Sequence, residues 1–434
     1  MPRAYKLTGI FFIVLAAFAA QGCSSSSSVS KIGNTVQVLK QGQDFQLYVN
    51  GEPFYIKGVG VGEAFGKKGE NYLKMAKEMG ANAVRTWGTE QGTQKYLDEA
   101  ARQGLLVDAG IWLNPVGDDG RFSYIHDSQY LVAKEKETLD YVQRFKGHPA
   151  VLMWNIGNEA ISFTKNEEER VALSRFLALL IDKVKAIDPN HPVIYASANT
   201  VALPYLKQNV TNLDAVGMNV YGSVISAEAR WTALAFEIPY LITEFGPQGP
   251  WDQPKDVHGK VAEPLDQAKA SQYRNHWKLI TERRGKNIGG FAFHLGETSQ
   301  ESLTYWNLND HLYKKESFLV MQKFYGAGNL ANHAPYVDSF EGVPKEISAG
   351  GSFGVEVKAH DVEGDALSYF YTASSSTEGV LGYYVNTEVP LRVEGEGAKA
   401  TVSAPKEKGL YRVYAFVRDD QGNSSAASRI LEVV

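Results

Sequence analysis

Two glutamates each directly follow an apolar, strand-like run. Glu159 ends the segment WNIGNE (154–159), and Glu244 lies within LITEFG (241–246), 85 positions further along. A pair of carboxyl groups can share acid–base and nucleophilic chemistry when one is kept protonated and the other ionised. A glycosidic bond is cleaved with retention by such a pair held about 5–5.5 Å apart. We therefore interpret Glu159 as a candidate catalytic acid/base and Glu244 as a candidate nucleophile.

Three nearby residues favour that division of roles. Apolar Trp154 would desolvate Glu159, and desolvation raises the pKa of a carboxyl group. Arg85 and the hydroxyl of Tyr221 would stabilise the ionised form of Glu244.

A repeating pattern in the sequence would have to bring the two glutamates together. Short Val- and Ile-rich runs alternate with longer stretches of helical period, which predicts eight βα units. The strands are predicted near 54–60, 82–87, 105–111, 150–157, 192–198, 213–219, 239–245 and 289–294. The helices are predicted near 70–80, 92–103, 127–145, 166–187, 201–209, 224–236, 264–284 and 314–326. This number of units predicts an α/β fold of the closed (β/α)8 TIM-barrel type.

The alternative is an open, doubly wound sheet, which usually carries a glycine-rich phosphate loop after its first strand. Here the first strand leads into GVGVG (58–62), whose spacing is G-x-G-x-G and which opens no predicted helix. A nucleotide site is therefore disfavoured. The residues before the barrel, 37–48, alternate like one strand and lead to the turn signal Asn50-Gly51.

Functional groups of a barrel lie at the C-terminal ends of its strands. Besides the two glutamates, the polar and aromatic candidates for substrate binding there are Arg85, Trp87, Trp112, Asn158, Asn219, Tyr221, His294 and, further along, Trp306. The tryptophans are predicted either to stack on sugar rings or to pack in the core. The sequence has no His/Asp/Glu cluster with catalytic metal-ligand spacing, so neither a metal nor a cofactor is expected.

The Asn158-Glu159 pair after strand four, with a glutamate after strand seven, resembles clan A of the retaining glycoside hydrolases. The segment VNGEPFYIKG (49–58) resembles the lead into the barrel of glycoside hydrolase family 2 and the start of the family 72 β-1,3-glucanosyltransferases. The segment TEFG (243–246) resembles the nucleophile segment of both families. The resemblance implies that Asn158 binds the sugar 2-hydroxyl, that Tyr221 orients the nucleophile and that Arg85 supports it.

The N-terminus is predicted to direct export. Arg3 and Lys6 precede an apolar run, 7–20, that is too short to span a bilayer, and small residues precede Cys23. This arrangement resembles a bacterial lipoprotein signal, with residues 1–22 removed, Cys23 acylated and a serine-rich tether over 23–36. An ordinary signal peptide cut near Ala20 is the alternative.

The C-terminal region changes pattern. The catalytic barrel with its N-terminal hairpin is assigned to 37–331. Residues 332–434 show short alternating strands, near 352–358, 367–372, 400–403, 411–418 and 428–433, which predicts an immunoglobulin-like β-sandwich. Loops 361–367 and 419–423 resemble calcium-holding loops of cadherin-like modules, although acidic residues beside glycine more often form turns.

The composition limits the class of partner. A net charge of −5 and a pI near 6.0 argue against nucleic acid as a partner. We therefore expect a retaining β-glycoside hydrolase of the cell envelope that acts on an extracytoplasmic oligo- or polysaccharide and contacts the membrane through a lipid anchor. A β-glucan transglycosylase with the same residues and a non-catalytic glycan-binding surface lipoprotein remain alternatives.

Overall fold

The computed structural model describes residues 33–117, 121–328, 332–378 and 384–434. The predicted signal peptide, Cys23 and most of the tether lie outside these residues. Within them, every helix is too short or too polar to cross a bilayer.

Eight parallel strands form a closed barrel, which confirms the predicted fold class. In chain order they are β4 (Ile56–Gly60), β5 (Ala83–Arg85), β6 (Leu106–Ile111), β7 (Val151–Asn158), β8 (Val193–Ala198), β9 (Ala215–Asn219), β10 (Tyr240–Phe245) and β11 (Asn287–Ala292). The barrel closes between β11 and β4. Because helices cover the outside and side chains fill the inside, strands such as β7 are buried along almost their whole length.

The helices follow the predicted order around the barrel. They are α1 (Tyr72–Glu78), α2 (Gln94–Gln103), α3 (Ser128–Phe145), α4 (Ala160–Phe163), α5 (Glu167–Ile187), α6 (Leu203–Asn209), α7 (Val224–Ala233), α8 (Asp266–Thr281) and α9 (Glu316–Tyr325). The short α4, directly after β7, was not predicted. The side chains of Asn71, Thr93 and Asn166 accept backbone N–H groups at the starts of α1, α2 and α5, which fixes where those helices begin.

The prediction of one strand over residues 37–48 is wrong. The chain forms a three-stranded ribbon of β1 (Val36–Gln41), β2 (Asp44–Val49) and β3 (Glu52–Phe54). Gly42 has a φ of +65°, so the chain turns back there, and a second turn follows at Asn50-Gly51 as expected. Leu47 of this ribbon packs with Ile56 and other residues from the N-terminal ends of the barrel strands, so the ribbon covers that end.

The C-terminal region is a β-sandwich. One sheet has the order β14 (Tyr336–Glu341), β16 (Ser352–His360), β20 (Lys399–Ser403), β19 (Arg392–Glu394). The other has the order β15 (Glu346–Ile347), β22 (Ser424–Val433), β21 (Gly409–Arg418), β17 (Ser368–Glu378), β18 (Tyr384–Val389). Apolar residues of both sheets, such as Val355 and Val413, form one shared core. A two-residue pair, β12 (Asn309–Asp310) with β13 (Tyr313–Lys314), lies in the loop before α9.

The sandwich packs against the C-terminal face of the barrel through buried polar groups. Arg418 of β21 donates to both oxygens of Asp310, at 2.7 and 3.0 Å. The backbone N–H of Ala426 in β22 donates to Asp266 at the start of α8, at 2.9 Å. The sandwich therefore lies at the end of the barrel where the two glutamates lie.

Candidate active site

Glu244, at the end of β10, has a carboxylate that accepts three hydrogen bonds. Arg85 Nη1 and Trp87 Nε1 donate to Oε1 at 2.7 and 2.8 Å, and Tyr221 Oη donates to Oε2 at 2.6 Å. Donors of this kind stabilise the ionised carboxylate and fix its orientation. Glu244 therefore has the environment that a nucleophilic carboxylate needs.

Arg85 is itself buried, with 1% of its surface exposed. It also donates to the backbone oxygen of Thr243 at 2.9 Å and to Asn158 Oδ1 at 2.8 Å, and its Nε lies 3.5 Å from Asp108. Its guanidinium group is not among the groups that line the cavity described below. Arg85 thus contacts Glu244, as the sequence analysis expected, but it does not line the cavity, which the assignment to substrate binding would require.

Glu159 directly follows β7 and has a φ of +57°, in the left-handed region. This backbone turn joins the strand to α4 and leaves the carboxyl group at the barrel mouth. Asn219 Nδ2 donates to Glu159 Oε1 at 2.7 Å, while Asn219 Oδ1 accepts from the hydroxyl of Thr243 at 2.7 Å. The second bond fixes the orientation of the Asn219 amide, so that its N–H group points to Glu159.

The pKa of Glu159 is raised to about 8. Burial is the main cause and the negative charge of Glu244 is the second, while the hydrogen bond from Asn219 and the charge of Arg85 act in the opposite direction. The sequence attributed the desolvation to Trp154, and that attribution is wrong. Trp154 faces the helix layer, where its indole donates to Asp188 at 2.7 Å and its ring packs against Tyr141.

Asn158 connects the two glutamates. Its Oδ1 accepts from Arg85 at 2.8 Å and from Asn219 at 3.1 Å, so one network reaches from Glu159 to Glu244. Because the amide oxygen is occupied, the amide nitrogen of Asn158 is the group available to a ligand in the cavity. This is consistent with the role that the resemblance implies, a contact to the sugar 2-hydroxyl.

A cavity of about 700 Å³ contains both glutamates. Its lining also includes the predicted residues Trp87, Trp112, Asn158, Tyr221, His294 and Trp306. Asn219 lies beside it through its bond to Glu159.

The aromatic residues of this cavity are not equivalent. Trp306 is only 2% exposed and packs 4.7 Å from the ring of Tyr221, so it forms a wall, whereas Trp251 is 57% exposed at the rim. The indole nitrogen of Trp306 and Nδ1 of His294 are buried and have no hydrogen-bond partner among the described residues. Burial lowers the pKa of His294 to about 4, so its ring is neutral near pH 7. Both side chains therefore line the cavity as uncharged groups.

Sequence reasoning missed several residues of this cavity. Gln91 lies in the loop after β5, and Thr298, Ser299 and Gln300 lie in the loop after β11. Val385 comes from the sandwich. The loop residues follow barrel strands in the sequence, and this position is the signal that marks them. No local pattern marks Val385, because only domain packing brings it to the site.

Within the part of the chain that the structure describes, two groups of side chains could offer ligands to a metal ion, namely Glu70, Glu297 and His311, and Asp361, Asp365 and Asp419. Protein contacts account for both. His311 pairs with both glutamates of the first group. In the second, Asp361 Oδ1 accepts three backbone N–H groups and Asp419 Oδ1 accepts two, as expected for turn-forming aspartates.

Comparison with known proteins connects this geometry to a family. Residues 41–251 match the family model of glycosyl hydrolases family 2, TIM barrel domain. The β-glucuronidase of Sus scrofa is 25% identical over 326 residues, which cover 68% of this chain and 47% of that protein. The β-glucuronidase of Paenibacillus borealis is 25% identical over 277 residues, which cover 57% of this chain and 44% of that protein. By sequence, the barrel is thus similar to glycoside hydrolases of family 2, while the family 72 resemblance stays a prediction.

Solved structures show the same fold. The β-glucuronidase of Bacteroides uniformis aligns over 92% of this chain and 48% of its own, with a TM-score of 0.52 and 15% identity. A family 2 β-galacturonidase from Eisenbergiella tayi, solved with galacturonate, aligns over 68% of this chain and 55% of its own, with a TM-score of 0.52 and 17% identity. The chain spans about half the length of the curated relatives it matches.

Proposed function

We propose that this protein is a retaining β-glycoside hydrolase that acts by double displacement. The observation that carries the proposal is the contrast between two carboxyl groups in one cavity. Glu244 accepts three hydrogen bonds that favour its ionised form, and burial beside Glu244 raises the pKa of Glu159 to about 8. Near pH 7, Glu244 can therefore act as the nucleophile and Glu159 can donate a proton.

The first step forms a covalent intermediate. The carboxylate of Glu244 attacks the anomeric carbon, the bond to the leaving oxygen breaks, and Glu159 gives its proton to that oxygen. Esterification removes the negative charge of Glu244, which is one of the causes that raise the pKa of Glu159. The pKa of Glu159 therefore falls at the stage where it must act as a base.

The second step regenerates the enzyme. Glu159 takes a proton from a water molecule, whose oxygen attacks the anomeric carbon and breaks the ester to Glu244. If a sugar hydroxyl replaces the water, the same step is transglycosylation. The observation that favours transglycosylation is a second cavity beside Glu159, which could hold an acceptor sugar.

The lining of the cavity favours a neutral sugar. Several relatives are named for β-glucuronides or galacturonate, whose sugars carry a carboxylate. Among the described residues that line the cavity around Glu244 there is no lysine or arginine side chain, and His294 is neutral. Carboxylate recognition normally uses a cation, so we propose that the substrate is a neutral β-glycoside.

The proposed location is the cell envelope. It depends on the lipoprotein-like segment around Cys23, which lies outside the described residues. Labelling cells with a radioactive or clickable fatty acid would test it, with Cys23→Ser as the variant expected to lose the label.

Azide rescue of alanine variants tests the catalytic assignment. With an activated aryl β-glycoside, Glu159→Ala should still form the intermediate, and azide should then give the β-glycosyl azide. With Glu244→Ala, azide should attack directly and give the α-glycosyl azide. Exposed Glu90 provides the control, since Glu90→Ala should behave as the unmodified protein.

Two outcomes would contradict the proposal. One is azide products of the same configuration from both variants. The other is an unmodified protein that cleaves no member of a broad β-glycoside panel yet binds a glycan, which would identify a non-catalytic surface glycan-binding protein. Paired aryl glucoside and glucuronide substrates in the panel test the preference for a neutral sugar.

A further inference from the structure

A second cavity adjoins the one that contains the two glutamates. Its volume is about 640 Å³, and it shares Glu159, Tyr221 and Trp251 with the first cavity. Much of its wall belongs to the C-terminal sandwich, through Ser374, Ser376, Tyr384, Asn386, Tyr411 and Arg412. The sandwich therefore reaches the candidate acid/base as well as the barrel mouth.

The position of this cavity determines which part of a substrate it could hold. It contains Glu159 but not Glu244, and its barrel side includes Asn199, directly after β8, and Asn219, the last residue of β9. A catalytic acid lies beside the oxygen of the leaving group, because it must protonate that oxygen. A group that leaves past Glu159 would enter this second cavity.

The side chains of the second cavity suit a saccharide. Trp251 is 57% exposed and Tyr384 is 40% exposed, so both offer ring faces for stacking on sugar rings. The ammonium group of Lys260 lies 4.1 Å from the centre of the Tyr384 ring and so occupies one of its faces. Charges of both signs line the cavity. Lys255, Lys260 and Arg412 are positive, while Asp252 and Glu301 are negative, so the lining does not present a field of one sign, and an uncharged polyhydroxylated ligand suits it.

The sandwich wall is held in place by direct bonds to barrel loops. Both the backbone N–H and the side-chain amide of Asn386 donate to the backbone oxygen of Ser299, at 2.9 and 3.1 Å. The backbone of Tyr384 exchanges hydrogen bonds with Glu301, at 2.7 and 3.2 Å. These contacts hold the backbone that carries the Tyr384 ring against the barrel loops, as a preformed binding site requires.

We propose that the C-terminal sandwich completes a binding subsite for the leaving-group side of the substrate, and that this subsite takes neutral β-linked sugar units through Trp251 and Tyr384. The proposal rests on the proposed glycosidase function. It makes the sandwich part of the active-site cleft, so the sandwich selects oligosaccharides over substrates with a minimal leaving group.

The test compares two substrates of the same sugar. A β-glycosyl fluoride has no leaving-group sugar to bind, whereas a β-linked tetrasaccharide does. For Tyr384→Ala we expect kcat/KM to fall about tenfold on the tetrasaccharide and to stay within about twofold on the fluoride, because only the first substrate uses the ring. Tyr384→Phe should restore the lost activity, and Tyr336→Ala, which changes an aromatic residue stacked on His360 elsewhere in the sandwich, should affect neither substrate.

A second variant covers the case in which Tyr384→Ala does not fold. Ser376→Trp places a bulky group in the same cavity from a partly exposed strand position and should reduce tetrasaccharide cleavage while preserving fluoride cleavage. Equal effects on both substrates, or no effect on the tetrasaccharide, would overturn the subsite. Failure of the unmodified protein to cleave either substrate would instead overturn the proposed function.

Discussion

Three hydrogen-bond donors reach the carboxylate of Glu244, whereas one side-chain amide reaches that of Glu159. The two carboxyl groups thus lie in different hydrogen-bonding environments, and burial raises the pKa of Glu159. Since Glu159 must be protonated in the first step, its pKa of about 8 gives the alkaline limit of that step.

We expect kcat/KM to be maintained up to about pH 8 and to fall above it for a substrate with a poor leaving group. The direction follows because the raised pKa keeps Glu159 protonated below that pH and lets it ionise above. A pH profile of the β-glycosyl fluoride, which needs no proton on its leaving group, should lack this alkaline fall. An identical alkaline fall for both substrates would assign it to another group.

The negative charge of Glu244 should have a measurable effect on the pKa of Glu159. In Glu244→Gln that negative charge is removed while Arg85 remains, so the pKa of Glu159 should be lower than in the unmodified protein. Titration of ¹³C-labelled glutamate side chains by NMR would report it, with Glu159→Gln used to assign the signal. An unchanged or higher pKa would show that the two groups do not interact.

Tyr221 is expected to hold the Glu244 carboxylate in position and to stabilise its negative charge through a hydrogen bond. In Tyr221→Phe the hydrogen bond to Glu244 at 2.6 Å is lost, and a hydrogen bond to a charged group contributes about 1.5–3 kcal/mol. We expect kcat to fall about 10- to 100-fold with little change in KM. Tyr205→Phe is the matched control, because it also removes a hydroxyl that donates to a glutamate, Glu167, on the outer helices.

The candidate site could be located from sequence because parallel strands end at one face of a barrel. The orientation of individual side chains could not, as Trp154 shows. The run around it is buried on both faces and has no alternation of polar and apolar residues to indicate which side chains point inward. Only the folded structure shows the orientation: Trp154 donates to Asp188 in the helix layer, while the next residue, Asn155, donates to Asp108 of β6.

At the scale of elements, the eight barrel strands were predicted because each is a concentrated apolar run. The sandwich strands β14 and β18 were missed because they lie at sheet edges and contain many exposed residues, which weakens the alternation. The turn at Gly42 was missed because the alternation continues on both sides of it. Local patterns thus identify elements with a well-buried face and miss those that neighbours stabilise.

The loop that precedes α8 carries a buried charge cluster whose removal should be costly. Lys269 of α8 donates to Glu263 at 2.6 Å, and both side chains are about 5% exposed or less. Burial alone would raise the pKa of Glu263, but the positive charges of Lys269 and Arg412 outweigh it and lower the pKa to about 2. Glu263 therefore favours folding above its unfolded pKa of about 4.3, and this contribution is lost as pH falls from there towards 2.

We expect Glu263→Gln to lower the free energy of unfolding by about 3 kcal/mol at pH 7, since it breaks a buried ion pair and leaves Lys269 with Asp266, which Lys315 also contacts, as its buried counter-ion. The difference from the unmodified protein should shrink as the pH falls from about 4 towards 2, because Glu263 becomes protonated in the unfolded chain at a higher pH than in the folded protein. Urea unfolding of both proteins at pH 7 and below about pH 4 measures the difference in the free energy of unfolding. Exposed Glu346→Gln is the control and should change the free energy little.

At the scale of the whole molecule, the barrel and the sandwich share both an interface and a cleft. Arg418 donates twice to Asp310, which also accepts from Ser424 at 2.9 Å, and Tyr414 accepts from the backbone N–H of Leu303 at 3.1 Å. Groups buried in this way lose their partners if one domain unfolds before the other. The two domains should therefore unfold together, in one calorimetric transition.

Arg418→Ala should weaken that coupling. We expect a loss of about 2–3 kcal/mol and a separate, earlier transition for the sandwich, because Asp310 would remain buried without its cation. Arg392 forms a similar pair with Glu394 on the surface, with side chains 78% and 62% exposed, so Arg392→Ala should cost under about 0.5 kcal/mol. If the sandwich forms the leaving-group subsite, Arg418→Ala should also reduce tetrasaccharide cleavage near the earlier transition while fluoride cleavage persists. One unchanged transition would show that the interface does not couple the two domains.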